Sequence, residues 1–143
     1  MIAEFPDAAV EAFMESAGPE SGTSLLMAEL RQLGGALGRP HDGGGVLSHL
    51  DGTFATFAAA IAPTPEIAAA GHADAVRFTS ALQPFSTGGN YLNFAENAVD
   101  ARSAYGADRW TQLKGIKSAV DPEGLLVANH RIPRLWENGR ATD

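Results

Sequence analysis

The chain of 143 residues contains no cysteine. Disulfides, thiolate nucleophiles and cysteine-based zinc or iron–sulfur sites are therefore excluded. Basic residues are also few, with 10 Lys and Arg against 17 Asp and Glu, for a formal charge of -7 at pH 7. Because phosphate binding needs clustered Lys and Arg, this balance argues against nucleic acid and against an anionic membrane surface as partners.

Long apolar runs are missing too. No segment approaches the roughly 20 apolar residues that span a bilayer, and residues 1–7 lack the basic region and apolar core of a signal peptide. The sequence therefore predicts no membrane partner and a cytoplasmic location. The hydrophobic content of 45% is typical of a packed chain rather than a disordered one.

Charge is unevenly distributed along the chain. Residues 1–100 carry 12 acids and 3 bases, whereas residues 101–143 carry 5 acids and 7 bases. A C-terminal region that is less acidic than the rest is compatible with a solvated helix face or with a surface that faces an anionic ligand.

Apolar residues at helical spacing predict helices over residues 7–17 and 107–120 and a third helix that opens at Pro65 and ends before Gln83. Thr64 is the predicted N-cap of that third helix, with Pro65 at its first position. The predicted buried faces are Ile67, Gly71, Ala75, Phe78 and Leu82 in one helix and Trp110, Leu113, Ile116 and Val120 in the last.

Alternating patterns predict strands over residues 23–33 and 53–61 and a short extended segment over 88–95. Composition also allows a helix over 23–33, but the Gly, Ser and Pro residues on either side favour a strand. In that strand Glu29 and Arg31 share one face.

This order of elements predicts an α+β fold, in which a small antiparallel sheet is covered by helices on one face and a C-terminal helix and extended tail follow. Two or three strands make a poor sheet alone. We therefore expect an incomplete part of a larger fold, or a chain that needs a partner. A second copy of this chain, in a homo-oligomer, is one candidate for that partner.

Residues 89–133 carry a series of short motifs: Gly-Asn-Tyr-Leu-Asn-Phe at 89–94, Tyr-Gly at 105–106, Arg-Trp-x-x-Leu-x-x-Ile-Lys at 109–117, Asp-Pro-x-Gly-Leu-Leu at 121–126 and Asn129. In this order and spacing they resemble the C-terminal berberine-bridge-enzyme-like segment of FAD-linked oxidases, in the vanillyl-alcohol-oxidase superfamily. Residues 29–36 and 48–52 are similar, more loosely, to the substrate domain of bacterial members.

The resemblance implies a partial substrate-binding domain over residues 1–88 and a berberine-bridge-enzyme-like segment over residues 89–143. It implies the C-terminal part of an FAD-dependent oxidoreductase that oxidises a hydroxyl-bearing small molecule by hydride transfer to flavin. FAD would be bound mainly by an N-terminal FAD-binding domain that this chain lacks, supplied in cis or in trans. The chain alone is then not expected to be active.

The resemblance also assigns roles to three residues. Tyr91 is the predicted catalytic base that takes the substrate's hydroxyl proton. Asn93 and Asn129 are predicted to bind the cofactor, since an amide donates and accepts hydrogen bonds without charge. The family pattern is not complete: Phe94 stands where members also have Tyr, and residues 53–61 offer only Thr56 as an inward polar side chain.

Several alternatives stand beside this interpretation. The chain could be a stand-alone, non-catalytic binding or interaction module derived from such an enzyme, with Tyr91 an ordinary interface residue. A further alternative is a small hydrolase or isomerase that uses His49 or His72. The sequence contains no Ser/His/Asp spacing or oxyanion signature that would support it. His-Asp pairs at 41–42, 49–51 and 72–74 come from different elements, so no metal site is predicted.

Overall fold

The computed structural model describes residues 1–97 and 99–137. The fold is α+β, as the sequence predicts: two antiparallel strands form the sheet, and a long helix lies toward the C-terminus. The elements in chain order are α1 (Asp7–Ala17), β1 (Met27–Gln32), β2 (Phe54–Ala59), α2 (Pro65–Leu82) and α3 (Arg102–Val120), with single 3₁₀ turns at Ala36–Gly38, Gln83–Phe85 and Leu92–Phe94.

The chain divides into two compact units. The first consists of Met1–Arg39 and Leu50–Gly88, and contains α1, α2 and the sheet. The second consists of Pro40–His49 and the described residues from Gly89 onward, and contains α3. Residues 138–143, the end of the predicted C-terminal segment, lie outside the described residues.

Local sequence signals set the ends of α2. The Oγ1 atom of Thr64 accepts a hydrogen bond from the Ile67 amide at 3.4 Å, and Pro65 occupies the first turn. This side-chain acceptor satisfies one of the amides that have no partner within the helix. The predicted N-cap is therefore confirmed, and the helix ends at Leu82, directly before Gln83.

Gly106 breaks α3 near its start, with φ 71° and ψ 172°. A positive φ costs little in glycine because it has no Cβ. The regular helix therefore follows Gly106, in agreement with the predicted span of 107–120. The predicted inward face is only half right: Trp110 and Leu113 are partly buried, whereas Ile116 and Val120 are exposed. Periodicity identifies an apolar stripe but does not say whether another element covers it.

The sheet is short and its register is regular, running from Met27 opposite Ala59 to Gln32 opposite Phe54. The strand prediction for both segments is confirmed. Glu29 and Arg31 lie on the same face and form an ion pair of 2.6 Å.

The opposite face of the sheet packs against the core. Ile2, Phe78 and Leu82 form the buried cluster, and three partly buried sheet residues pack against it: Ala28, Phe54 and Ala58. The ring of Phe78 meets that of Phe13 from α1 edge-on, with centroids 5.3 Å apart. Gly71, Phe78 and Leu82 of α2 are buried, as predicted, but Ile67 is exposed.

The first residues of the chain extend the sheet, which the sequence patterns did not predict. The Ile2 amide donates to the Phe54 carbonyl at 2.8 Å, and Ile2 forms isolated bridges with both Phe54 and Ser86. Residues 1–3 therefore lie along the outer edge of β2 and cover part of it.

The predicted extended segment over residues 88–95 is not a strand. Within it, the Phe94 amide donates to the Tyr91 carbonyl at 2.9 Å and the Ala95 amide donates to the Leu92 carbonyl at 3.1 Å. A strand needs a neighbouring strand to satisfy its backbone groups, and none pairs with this segment in the described part of the chain. Local i to i+3 bonds satisfy these amides instead.

Within residues 1–97 and 99–137, no helix has the length and apolar character needed to cross a bilayer.

Candidate functional site

Tyr91 and Asn93 lie together at the 3₁₀ turn of the second unit. The Nδ2 atom of Asn93 donates to the phenol oxygen of Tyr91 at 3.3 Å. The Tyr91 ring meets Phe94 edge-on, with centroids 4.9 Å apart. Tyr91 is half-buried and Asn93 is exposed. The turn thus holds the phenol by its ring and places a polar pair at the surface.

The start of α3 anchors this turn. Asn90 donates from Nδ2 to the Ser103 hydroxyl at 2.8 Å, and that hydroxyl donates to the Asp100 carbonyl at 2.7 Å. The Asp100 carboxylate in turn accepts from the Arg102 amide at 3.0 Å, near the N-terminus of the helix. The position of Tyr91 is therefore linked to the segment that begins α3.

Asn129 is exposed and lies beyond α3 in an irregular segment. No hydrogen bond joins it to Tyr91 or to Asn93 within residues 1–97 and 99–137. The structure therefore joins two of the three predicted site residues by a hydrogen bond, and Asn129 is not bonded to either of them in the described part of the chain.

Asp121 holds the segment that leads to Asn129. Its carboxylate accepts from the amides of Leu125 at 2.8 Å and Leu126 at 3.1 Å, and it forms an ion pair with Lys117. The hydrogen bond from Lys117, with help from the two amides, lowers the pKa of Asp121 to about 2. Only 5% of Asp121 is exposed. The Asp-Pro motif of the sequence thus acts here as a turn anchor.

A second cluster of paired charged side chains lies at the end of the described residues. Glu137 accepts from Arg134 at 2.5 Å and from Arg131 at 3.0 Å, and Arg134 also donates to the Pro122 carbonyl at 2.6 Å. The Arg134 hydrogen bond lowers the pKa of Glu137 to about 2, and the same bond raises the pKa of Arg134. This cluster links residues 131–137, the last that the structure describes, to the turn after α3.

A hollow of about 460 Å³ lies beside these two clusters. Lys117, Arg131 and Arg134 line it and are each paired with an acidic side chain. Leu126 and Val127 add apolar surface. Because its cations are already neutralised, the hollow offers little net charge to an anionic ligand.

Sequence reasoning missed one polar cluster, formed by Ser48, His49 and Arg109. The Nη2 atom of Arg109 lies 3.4 Å from Nε2 of His49, and the Ser48 hydroxyl lies 3.1 Å from Nδ1. A guanidinium only donates, so Nε2 is the acceptor and Nδ1 carries the hydrogen toward Ser48. No spacing signal reveals such a contact, because His49 and Arg109 are 60 residues apart.

The other sequence candidates are dispersed. Thr56 lies on the face of β2 that carries Phe54 and Ala58, which pack against the core, so it points inward as expected. His72 is exposed on α2. His130, which the sequence patterns did not single out, has a buried Nδ1 without a hydrogen-bond partner in the described part of the chain. Within residues 1–97 and 99–137, no group of three or more His, Asp or Glu side chains is placed to hold a metal ion.

Comparison of the chain with protein-family models and with curated protein sequences gave no match.

Proposed function

We propose that this chain is the C-terminal part of an FAD-dependent oxidoreductase that oxidises a hydroxyl-bearing small molecule by hydride transfer to flavin. The FAD-binding domain would lie on the same polypeptide (in cis) or on a separate one (in trans). The proposal starts from the motif series over residues 89–133. Its main support in the structure is the Tyr91–Asn93 pair, a phenol and an amide joined at 3.3 Å on an anchored surface turn.

The Tyr91–Asn93 contact has the polarity that base catalysis requires. The Asn93 amide donates to the phenol oxygen, and a donor at that atom stabilises negative charge on it. Phe94 holds the ring, which limits its motion while a proton is transferred. Tyr91 Oη would therefore be the atom that takes the substrate's hydroxyl proton.

The amides also fit the role of cofactor ligands. Asn93 uses one amide hydrogen for Tyr91, which leaves its second amide hydrogen and its carbonyl oxygen to a ligand. Asn129 is exposed and has both its amide donors and its carbonyl oxygen to offer. Bound flavin would supply the hydride acceptor, a chemistry that no amino-acid side chain provides.

Exposed apolar side chains around the end of α3 support the proposal that a partner domain binds here. Val120 is 70% exposed and Val127 is 98% exposed, and Leu125 and Leu126 between them are also largely exposed. Contiguous exposed apolar residues are characteristic of interaction sites. Asp121 holds the backbone of this segment, so the apolar side chains are presented by an anchored loop.

The alternative is a stand-alone binding module without flavin. Two observations favour it: no hydrogen bond joins Asn129 to Tyr91 or Asn93 in the described part of the chain, and the Tyr91 ring makes an ordinary packing contact with Phe94. In that case Tyr91 and the apolar segment would belong to a protein interface and would have no chemical role.

Visible absorbance separates the two functions. The chain would be purified alone and after coexpression with an FAD-binding domain encoded beside it. A flavin band that copurifies with the pair supports the oxidoreductase. If neither preparation carries flavin, the binding module is favoured.

The role of Tyr91 is tested in the reconstituted pair. Tyr91→Phe removes the phenol oxygen and keeps the ring, so we expect anaerobic flavin reduction to slow by about 10²–10⁴-fold, the usual contribution of a general base. Tyr105→Phe is the matched control, because it deletes the other tyrosine hydroxyl, and it should leave the rate unchanged. An unchanged rate in Tyr91→Phe removes that residue from the mechanism.

A further inference from the structure

The outer edge of β1 is unpaired in the described chain. The sheet contains only β1 and β2, and Ile2 adds to it on the β2 side. None of the six residues of β1 is buried, and Met27 is 43% exposed. An unpaired strand edge presents a row of N–H and C=O groups that can pair with another strand.

The hydrogen bonds identify which residues face that edge. The Leu33 amide donates to the Thr53 carbonyl, and Phe54 exchanges bonds with Ile2 on the other side of β2. In an antiparallel pair, bonding to a given neighbour alternates along the strand. The odd-numbered residues of β1 therefore bond to β2, and the backbone groups of Ala28, Leu30 and Gln32 point outward.

We propose that β1 pairs antiparallel with β1 of a second copy of this chain, centred on Leu30. In this register Leu30 faces its own equivalent, and Ala28 faces Gln32 of the second copy. All three outward residues then lie in hydrogen-bonded positions and form about six backbone bonds. The two sheets join into one of four strands around a two-fold axis. This proposal does not depend on the flavoenzyme function.

The charged side chains of β1 favour a second copy of the chain as the partner, and they favour this register over its neighbours. With Leu30 at the centre, Glu29 of each copy lies opposite Arg31 of the other, in the closer, non-hydrogen-bonded kind of pair. A shift of two residues in either direction keeps the hydrogen-bonding pattern but would place Glu29 opposite Glu29, or Arg31 opposite Arg31. Only the central register gives two opposite-charge pairs, so the strand is complementary to itself.

Glu29 and Arg31 lie on the face of the sheet opposite the one that packs against Ile2, Phe78 and Leu82. They already pair within one copy at 2.6 Å, with side chains 28% and 46% exposed. Cross-strand pairs would extend this contact into a ladder of four alternating charges. Because one short strand per copy forms the contact, we expect a weak dimer, with Kd on the order of 100 µM.

The test is sedimentation equilibrium of the whole chain from about 10 to 1000 µM at low salt. Glu29→Arg and Arg31→Glu each place like charges across the contact, so each alone should weaken self-association by about tenfold or more. Mixed together, the two variants restore opposite charges in the hetero-pair and should associate as well as the unchanged chain does. Glu11→Arg on exposed α1 makes the same charge change elsewhere and should have no effect.

A second variant tests the backbone bonds. Gln32→Pro deletes an outward N–H and leaves the bonds to β2 intact, a position where an edge strand tolerates proline. It should abolish dimerisation with an unchanged far-UV circular dichroism spectrum. A chain that is monomeric at every concentration overturns the proposal. So does a dimer that neither charge variant weakens, because another surface, or a strand of an FAD-binding domain, would then be the relevant contact.

Discussion

Gly71 of α2 lies close to Ala60, in the chain that leaves β2. A Cβ atom added at Gly71 would lie 2.4 Å from the Cβ of Ala60. Carbon atoms in contact are normally about 3.5–4.0 Å apart, so Gly71→Ala would force the two backbones apart by more than about 1 Å. Overpacking of this kind typically costs about 1–3 kcal/mol.

Helix propensity acts in the opposite direction. Replacing Gly by Ala within a helix is worth about 1 kcal/mol. We therefore expect Gly71→Ala to lower the free energy of unfolding by up to about 2 kcal/mol in the wild-type background. In the Ala60→Gly background the clashing methyl is gone, so Gly71→Ala should raise the free energy of unfolding by about 1 kcal/mol. The sign of the effect should reverse.

The assay must report on the unfolding of the first unit, because that unit contains α2. Both Trp residues and both Tyr residues lie in the second unit, at 91, 105, 110 and 136, so intrinsic fluorescence does not report on α2. Urea unfolding followed by far-UV circular dichroism, with hydrogen exchange of the α2 amides, measures the relevant stability. Ala73→Gly at an exposed position of α2 calibrates the propensity change in both backgrounds.

A double-mutant cycle gives the interaction energy directly. We expect about 1–3 kcal/mol of coupling between positions 60 and 71. If Gly71→Ala has the same sign and size in both backgrounds, the close approach does not explain this glycine and the argument is refuted.

Two further predictions concern the core and the C-terminal anchors. Phe78 is fully buried, so Phe78→Ala should destabilise the first unit by about 3–5 kcal/mol in urea unfolding, whereas Phe78→Leu should cost less; equal, small losses would contradict its place in the core. The pKa values of Asp121 and Glu137 are lowered to about 2, so the stabilisation they give is complete above the unfolded-state values and is lost as pH falls from about 4.5 toward 2. Tryptophan fluorescence between pH 6 and 2 should show this loss, and Asp121→Asn should flatten it; a profile unchanged by that substitution would argue against the anchor.

The candidate site shows where local reasoning ends. Tyr91 and Asn93 are only two residues apart, so the chain itself keeps them near each other whether the segment extends or turns. Whether Asn129 bonds to them could not be predicted, since that depends on how the chain after α3 folds. The Asp121 anchor explains that path only once its contacts with Lys117 and two later amides are known.

The amino-acid sequence by itself determined the secondary structure of most of the chain. Thr64 and Pro65 start α2, apolar periodicity identifies α1, α2 and β2, and the flanking Gly, Ser and Pro residues favour a strand at β1, because all these signals act over a few neighbouring residues. Only the tertiary structure decided that residues 88–95 turn rather than extend, that Ile2 joins the sheet and that His49 meets Arg109. Each of these depends on which distant backbone or side chain is close enough to satisfy a hydrogen bond, and sequence spacing carries no information about that distance.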